Sequence, residues 1–375
     1  MKILHLGKYY PPVFGGVENV NCELVEGLLD KGVETDVLCF NTNNKSIVEK
    51  SSGGLIYREA SLFKLFSMSI SFMYVYRFLK IRKKYDIISV HCPNPIAFFA
   101  LLFSTSNNKI VLHWHSDIIK QEKLLKVFSP IQKIIINKAD IVLGATLEHI
   151  KGSDCYPLFK DKWDILTYSF SPSGFVSDVN LNLYENVKSE LKNKKIIFSL
   201  GRFVYYKGFD CLIKSAMHLP DDYIILIAGK GELCSEYRAL ISKFGLESKV
   251  KLLGALPYPD IKSYYKVCDV FCLPSTHRSE MFGIVQLEAM AFGKPVVATN
   301  IPRSGVPYVN INGVTGVNVD VNDRISLANA LIDICDNKVI SSDIDENIKS
   351  TLTKYDRSEV INKLIKIYCK VCKNE

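Results

Sequence analysis

IIFSLGRFVYYKGFD at residues 196–210 and VFCLPSTHRSEMFGIVQLEAM at 270–290 are the two stretches whose reading decides the fold. Each opens with a short run of β-branched and aromatic residues, turns at Gly or Pro, and continues into good helix formers. Repeated strand, turn and helix build a parallel sheet covered by helices. Around them, YIILIAG (223–229), VKLLG (250–254) and PVVAT (295–299) read as further strands, spaced widely enough for crossover helices. The second half of the chain is therefore expected to be doubly wound.

Upstream the same alternation appears: KILHLG (2–7), an amphipathic stretch from Gly16 to Leu29, TDVLCF (35–40), DIISVHC (86–92), KIVLHWH (109–115) and DIVLGA (140–145). Between Tyr156 and Lys195 it dissolves into SFSPSGF and a polar run, where a linker is expected. The reading is α/β with two Rossmann-like domains, at 1–175 and 190–355, facing an interdomain cleft. From Asp356 onward, Val360, Leu364, Ile367, Tyr368 and Val371 recur at helical spacing, predicting a helix over about 356–375 that packs back on the first domain.

With 375 residues, 48% of them hydrophobic and 23% charged, the composition is that of a globular chain large enough for two cores. The formal charge of +8 suits anionic partners without calling for nucleic acid. MKILHLGKYYPP contains no apolar stretch of signal-peptide length, so cytoplasmic residence is expected. Eleven scattered cysteines fit reduced thiols better than a disulfide framework, and Cys369 and Cys372 have no neighbouring ligands to complete a zinc site.

The chemistry concentrates at strand ends. Arg202 and Lys207 flank one strand-to-helix turn, a planar fork and a mobile point charge that together suit the oxygens of a diphosphate; two solvated surface cations would fit that pattern equally well. In the later stretch, an eight-residue step on one helix advances about 80° past two turns, so Glu280 and Glu288 would not align. Glu280 is therefore placed in the loop and Glu288 in the helix. A helix starting near Phe282 or Gly283 would aim the N–H groups of Phe282, Gly283 and Ile284 at a phosphate. His113 and His115 share one face of a strand, and their spacing supplies no third metal ligand.

Gly201-Arg202 with Lys207-Gly208, the Glu280 and Glu288 pair, and Pro11-Pro-Val-Phe-Gly15-Gly16-Val-Glu18 together resemble the family-4 retaining glycosyltransferases of the GT-B fold. The resemblance covers nearly the whole chain. It implies that Arg202 and Lys207 bind the donor diphosphate and stabilise the leaving group, that Glu280 contacts the transferred sugar, and that Glu288 holds the ribose. It implies further that Gly15 and Gly16 let the first loop close over the phosphate, and that His115 lies by the sugar. No metal or cofactor is implied, because cations neutralise the leaving charge; Asp343-Ile-Asp345 lies far from any strand end and reads as a turn or cap. Where many members carry Gly-Gly-x-x-Glu, this chain has Ser304-Gly-Val-Pro-Tyr-Val, which leaves base and sugar open. The HWHSD and FGIVQLEAM phrases are similar to those of bacterial O-antigen and capsule mannosyltransferases. They favour GDP-mannose as donor, with a UDP-sugar next.

Ser61 to Lys84 holds six basic and no acidic residues among many aromatics, and Lys120 to Lys138 adds five lysines against one Glu. Such a segment can lie on an anionic membrane surface, here the inner face of the cell membrane, toward a polyprenyl-linked or other glycan acceptor. A crossover helix burying one apolar face explains the same pattern without a membrane. A nucleotide-sugar epimerase of the same fold and a non-catalytic nucleotide-sugar binding protein are the competing functional readings.

Overall fold

The computed structural model describes the chain apart from residues 14, 52, 62, 66, 67, 105, 106, 119–121, 337–342, 374 and 375, and apart from the side chains of 62–69 and 121–127. Phe14 of the first glycine-containing loop, Lys120, and the side chain of Lys64 thus lie outside the described residues. The chain divides into two compact units: Met1–Ser169 with Tyr355–Glu375, and Phe170–Lys354.

The sheet of the first unit runs in the order β3 (Ile47–Ser51), β4 (Gly54–Glu59), β2 (Glu34–Phe40), β1 (Lys2–Leu6), β7 (Ile87–Cys92), β8 (Lys109–Trp114), β9 (Ile141–Gly144), β10 (Trp163–Ile165). All neighbours are parallel except β3 with β4. A short hairpin, β5 (Phe63–Leu65) with β6 (Met68–Ile70), stands apart. Both faces of the sheet are covered, and the central strands are accordingly buried and mostly apolar, broken by His5, Ser89, His91 and His113.

One face packs under α1 (Gly16–Asp30) and the terminal helix Arg357–Lys373, through Val20, Leu24, Leu28, Leu364 and Tyr368. The fit there is tight: a Cβ on Gly27 would sit 2.5 Å from Ile361 Cγ1. The other face packs under α2 (Phe72–Ile81), α3 (Pro95–Leu101) and α4 (Glu122–Lys138). Two of these helices start where local chemistry says they should. Ser71 accepts the N–H of Tyr74, and Asn94 accepts that of Ala97 with Pro95 next in line.

The second unit is a single parallel sheet ordered β13 (Val250–Gly254), β12 (Tyr223–Ala228), β11 (Lys195–Leu200), β14 (Val270–Leu273), β15 (Val296–Thr299), β16 (Gly316–Val319). Strand order reverses between β11 and β14, the position where open α/β sheets place their ligands. The two stretches with which the sequence reading began leave the sheet at those two strands.

Three differences from the sequence expectations have physical causes. The polar run after Ser177 is not a linker: Asn180 caps a helix at Leu181–Glu190, which docks on the helix Tyr258–Val267, so the units divide at Ser169/Phe170. The interval 41–70 holds β3 to β6, whose short edge and hairpin strands carry little apolar periodicity. The helix after Glu280 begins at Val285, later than Phe282 or Gly283, because Gly283 takes φ 68° and interrupts the helical run. Asp343 directly precedes the helix Ile344–Thr353, as a cap position should.

Candidate active site

The turn after β11 and the loop after β14 are joined into one surface. Gly208, at φ 64°, lies so close to the end of β14 that a Cβ there would be 2.0 Å from the Pro274 carbonyl oxygen. Only glycine fits that approach. The N–H of Thr276 then donates to the Tyr206 carbonyl at 2.8 Å, tying one segment to the other.

On this surface Lys207 Nζ meets Glu280 Oε2 at 2.5 Å, and Ser275 Oγ donates to the same oxygen at 2.9 Å. Both charged side chains are largely shielded from water, so the pair is held rather than loosely solvated. Glu280 stands in the loop, as expected, and its Oε1 accepts no hydrogen bond from the described residues. Arg202 is exposed, and its Nη2 donates to Tyr206 Oη at 2.9 Å. The loop after β15 closes the side of the site: Ser304 Oγ donates to the Glu280 carbonyl at 2.5 Å and Gly305 N–H to that of Met281 at 2.7 Å. Phe282 is buried, and Gln286 Nε2 donates to its carbonyl at 3.0 Å. The N–H groups of Gly283 and Ile284 follow within the same turn.

Glu288 lies in the helix Val285–Ala291, buried among aromatic residues. Tyr265 Oη donates to its Oε2 at 2.9 Å and Tyr258 Oη to its Oε1 at 3.4 Å. Burial pushes its carboxyl up to about 6, opposed by those two hydroxyls and by Lys207 and Lys262. Lys262 donates to the Ser177 carbonyl and lies over the rings of Phe175 and Tyr258.

The first unit holds the remaining expected residues. Gly15 caps α1 in an extended conformation that any residue can adopt, and a Cβ on Gly16 would meet nothing within 4 Å. The preceding loop is clamped instead by Arg58 of β4, whose buried guanidinium donates to the carbonyls of Tyr10, at 3.1 Å, and Pro11, and pairs with Glu49. Sequence reading missed this cation, because nothing local links it to a loop 47 residues away.

His115 is buried with both ring nitrogens engaged: Nε2 with His91 Nδ1 at 2.9 Å, Nδ1 with Tyr168 Oη at 2.9 Å. His91 Nε2 in turn meets His5 Nδ1 at 3.1 Å, and His113 bonds Ser89 at 2.8 Å. The rings of His91, His113 and His115 stack. Desolvation holds His5 down at about 4 and His115 at about 3, so the ladder is neutral near pH 7. Strand register explains it: His91 pairs with His113 on adjacent β7 and β8, and His5 lies on β1 beside them.

Two family profiles match the chain, "Glycosyl transferases group 1" over residues 184–351 and "Glycosyltransferase Family 4" over 14–146. The chain belongs to these glycosyltransferases. It is 29% identical over 351 residues to the O-antigen chain mannosyltransferase C of Escherichia coli, covering 92% of both chains. It is 28% identical to the D-rhamnosyltransferase WbpZ of Pseudomonas aeruginosa, covering 88% of this chain and 86% of that one. Among solved structures, sucrose-phosphate synthase from Thermosynechococcus elongatus superposes with a TM-score of 0.78 at 19% identity over the whole of both chains. Anabaena Alr3699/HepE in complex with UDP does so with 0.76 at 19% identity, covering 99% of this chain and 100% of that one. These likenesses show that the glycosyltransferase has the GT-B fold, two Rossmann-like domains with parallel sheets.

Proposed function

We propose that this glycosyltransferase moves a hexose, mannose in the first instance, from a nucleotide diphosphate sugar to a lipid-linked glycan in O-antigen or related surface polysaccharide synthesis. The anomeric configuration is retained, and neither metal nor cofactor is required. GDP-mannose is the favoured donor and a UDP-sugar the next. The observation that carries this reading is the Lys207 and Glu280 pair, with Arg202 beside it, at the β11/β14 reversal.

Departure of a nucleoside diphosphate leaves negative charge on its terminal phosphate. Arg202 and Lys207 stand ready for that charge without reorganising, which is how preorganised cations lower such a barrier. Glu280 keeps Lys207 in place through Oε2 and leaves Oε1 to accept from hydroxyls of the transferred sugar. The N–H groups of Phe282, Gly283 and Ile284 complete the phosphate environment. Glu288, ionised above about pH 6, would accept from ribose hydroxyls in exchange for the longer Tyr258 contact. Gly15, Gly16 and His115 are assigned to the first loop and the sugar side. The likeness to the E. coli and P. aeruginosa enzymes, a mannosyl- and a D-rhamnosyltransferase, supports a sugar of the mannose series and a polysaccharide acceptor.

Thermal unfolding with GDP, UDP, ADP and their sugar conjugates, in chelator, tests the donor site directly, since a ligand of the folded state raises its apparent stability. We expect a shift with GDP or GDP-mannose that Arg202→Ala removes. Absence of any shift in folded protein would sink the assignment. Nucleotide release that needs no acceptor would favour the epimerase.

A further inference from the structure

Lysine is seldom buried without an acid beside it. Among the described residues two lysines are buried, Lys207 and Lys262. Lys207 has Glu280. Lys262, only 6% exposed, has no carboxylate within ion-pair distance among the described residues. Its Nζ instead donates to the Ser177 carbonyl at 2.7 Å and lies 5.4 Å from the ring centroids of both Phe175 and Tyr258. Burying an ammonium on those terms is costly, and the two rings offset only part of the cost.

The helix Tyr258–Val267 shows what this charge faces. Tyr258, Lys262 and Tyr265 stand at positions i, i+4 and i+7 and so share one stripe of the helix. The stripe meets the buried glutamate of the neighbouring helix with both its hydroxyls: Tyr265 Oη donates to Glu288 Oε2 at 2.9 Å, and Tyr258 Oη to Oε1 at 3.4 Å. Phe175 closes the group, its ring edge-on to Tyr258 at 5.7 Å and to Tyr265 at 6.1 Å. Ammonium, phenol ring, hydroxyl and carboxylate thus stand in series. A cation over the ring polarises the hydroxyl toward donation, and the acceptor is an anion. The other charges around Glu288 are committed or turned away. Lys207 is in contact with Glu280. The helix Ile344–Thr353 packs on the Glu288 helix, but its Asp345, Glu346 and Lys349 are exposed. Cys272, the one ionisable side chain of β14 and β15 beneath, belongs to the apolar cluster of Leu327 and Leu331.

We propose that Lys262 is a positioning residue for the nucleotide: its ammonium is the countercharge, relayed through the ring and hydroxyl of Tyr258, that lets buried Glu288 meet the ribose as a carboxylate. The inference rests on the assignment of Glu288 to the ribose. Its sign follows from charge. Burial lifts the Glu288 carboxyl to about 6, and Lys262 opposes that lift. Without the ammonium the carboxyl takes up its proton at higher pH, and the ribose hydroxyls lose an anionic acceptor. When the ribose displaces the Tyr258 hydroxyl, the charge of Lys262 stays in place behind it.

Donor kcat/KM measured against pH at saturating acceptor tests it, because that profile reports groups of the free enzyme. In the wild type it should fall as pH drops through about 6. K262M, which keeps a stem over the two rings, should move that limb up by about one pH unit and raise the donor KM at pH 6.5 about threefold, with kcat and the acceptor KM as before. K262R should restore the wild-type limb. In an E288Q background, where no carboxylate remains, K262M should have no further effect on the donor KM, whereas a lysine that only braced the fold would act in both backgrounds. A wild-type limb in folded K262M, or an equal effect of K262M with and without Glu288, overturns the inference. If K262M does not fold, Y258F decides: loss of that hydroxyl should also raise the limb, and an unmoved limb overturns the inference. Failure of the underlying reading looks different. E288Q alone would then keep the wild-type donor KM and limb, which removes Glu288 from the ribose and this inference with it.

Discussion

Acidification should unfold the first unit selectively. Five of the seven histidines, His5, His91, His113, His115 and His149, are buried there. Burial depresses all five: His5 and His149 to about 4, His115 to about 3, and His91 and His113 well below their usual value, the last three also through neighbouring histidines. A histidine neutral in the fold and titrating near 6.5 when unfolded contributes stability that is complete above pH 6.5 and is lost as pH falls toward its folded value. At pH 5.5 each such ring costs about 1.4 kcal/mol, so five cost about 7 kcal/mol, comparable with the whole stability of a domain. In the second unit Glu288 has the opposite sign. Its raised value of about 6 means that lowering pH through 6 relieves the cost of its buried charge. Both tryptophans, Trp114 and Trp163, belong to the first unit, so their emission reports that unit alone. Melts followed by tryptophan emission at pH 7.5 and 5.5 should differ by about 14–28 °C, at roughly 2–4 °C per kcal/mol. A difference below about 3 °C would show that these rings are protonated within the fold and refute the reasoning. His149→Leu sharpens the test: neither ring nitrogen has a hydrogen-bond partner among the described residues, so the variant should recover about 1.4 kcal/mol at pH 5.5 relative to pH 7.5.

Three further outcomes follow from the site. Gly208→Ala, forced against the Pro274 carbonyl at a left-handed φ, should destabilise the second unit by about 3 kcal/mol or more in urea unfolding. Arg303 is a non-glycine residue at φ 63°, so Arg303→Gly should raise the urea midpoint by about 1 kcal/mol equivalent with an unchanged slope; a lowered midpoint would mean that its side chain stabilises the loop. Tyr206→Phe removes the hydroxyl that steadies the exposed Arg202. It should raise the donor KM about two- to fivefold while leaving the melting temperature in place, as calorimetry would confirm.

Much of the fold was legible because parallel strands buried on both faces are largely apolar, and such runs are visible in one dimension. IIFSLG, YIILIAG and KIVLHWH became β11, β12 and β8 with boundaries moved by a residue. The terminal helix was legible for a related reason: Val360, Leu364, Ile367 and Tyr368 repeat at helical spacing, and all four are buried. What could not be read were elements stabilised from elsewhere. Edge strand β3 is mostly exposed and depends on β4, and the helix Leu181–Glu190 buries only Val187 and leaves Leu181 exposed.

The candidate site divides along the same line, and the division bears on what each residue can do. Arg202, Lys207 and Glu280 could be found because charged groups in the turns that follow strands stand out against an apolar pattern, Glu288 as the second carboxylate of the same stretch, and the argument from helical pitch correctly separated the two glutamates into loop and helix. The groups that fix them could not, since Tyr206, Tyr258 and Tyr265 look like ordinary residues until the chain is folded. Their effect is nevertheless chemical. Two tyrosine hydroxyls on Glu288 oppose a burial that lifts its carboxyl to about 6, so they help keep it an acceptor at neutral pH. His115 carries the same lesson in reverse. The family resemblance implied a position by the sugar, and both its ring nitrogens are occupied by His91 and Tyr168. A sugar hydroxyl can reach that ring only by displacing one of them, and Tyr168, the less buried partner, is the one a ligand would meet first.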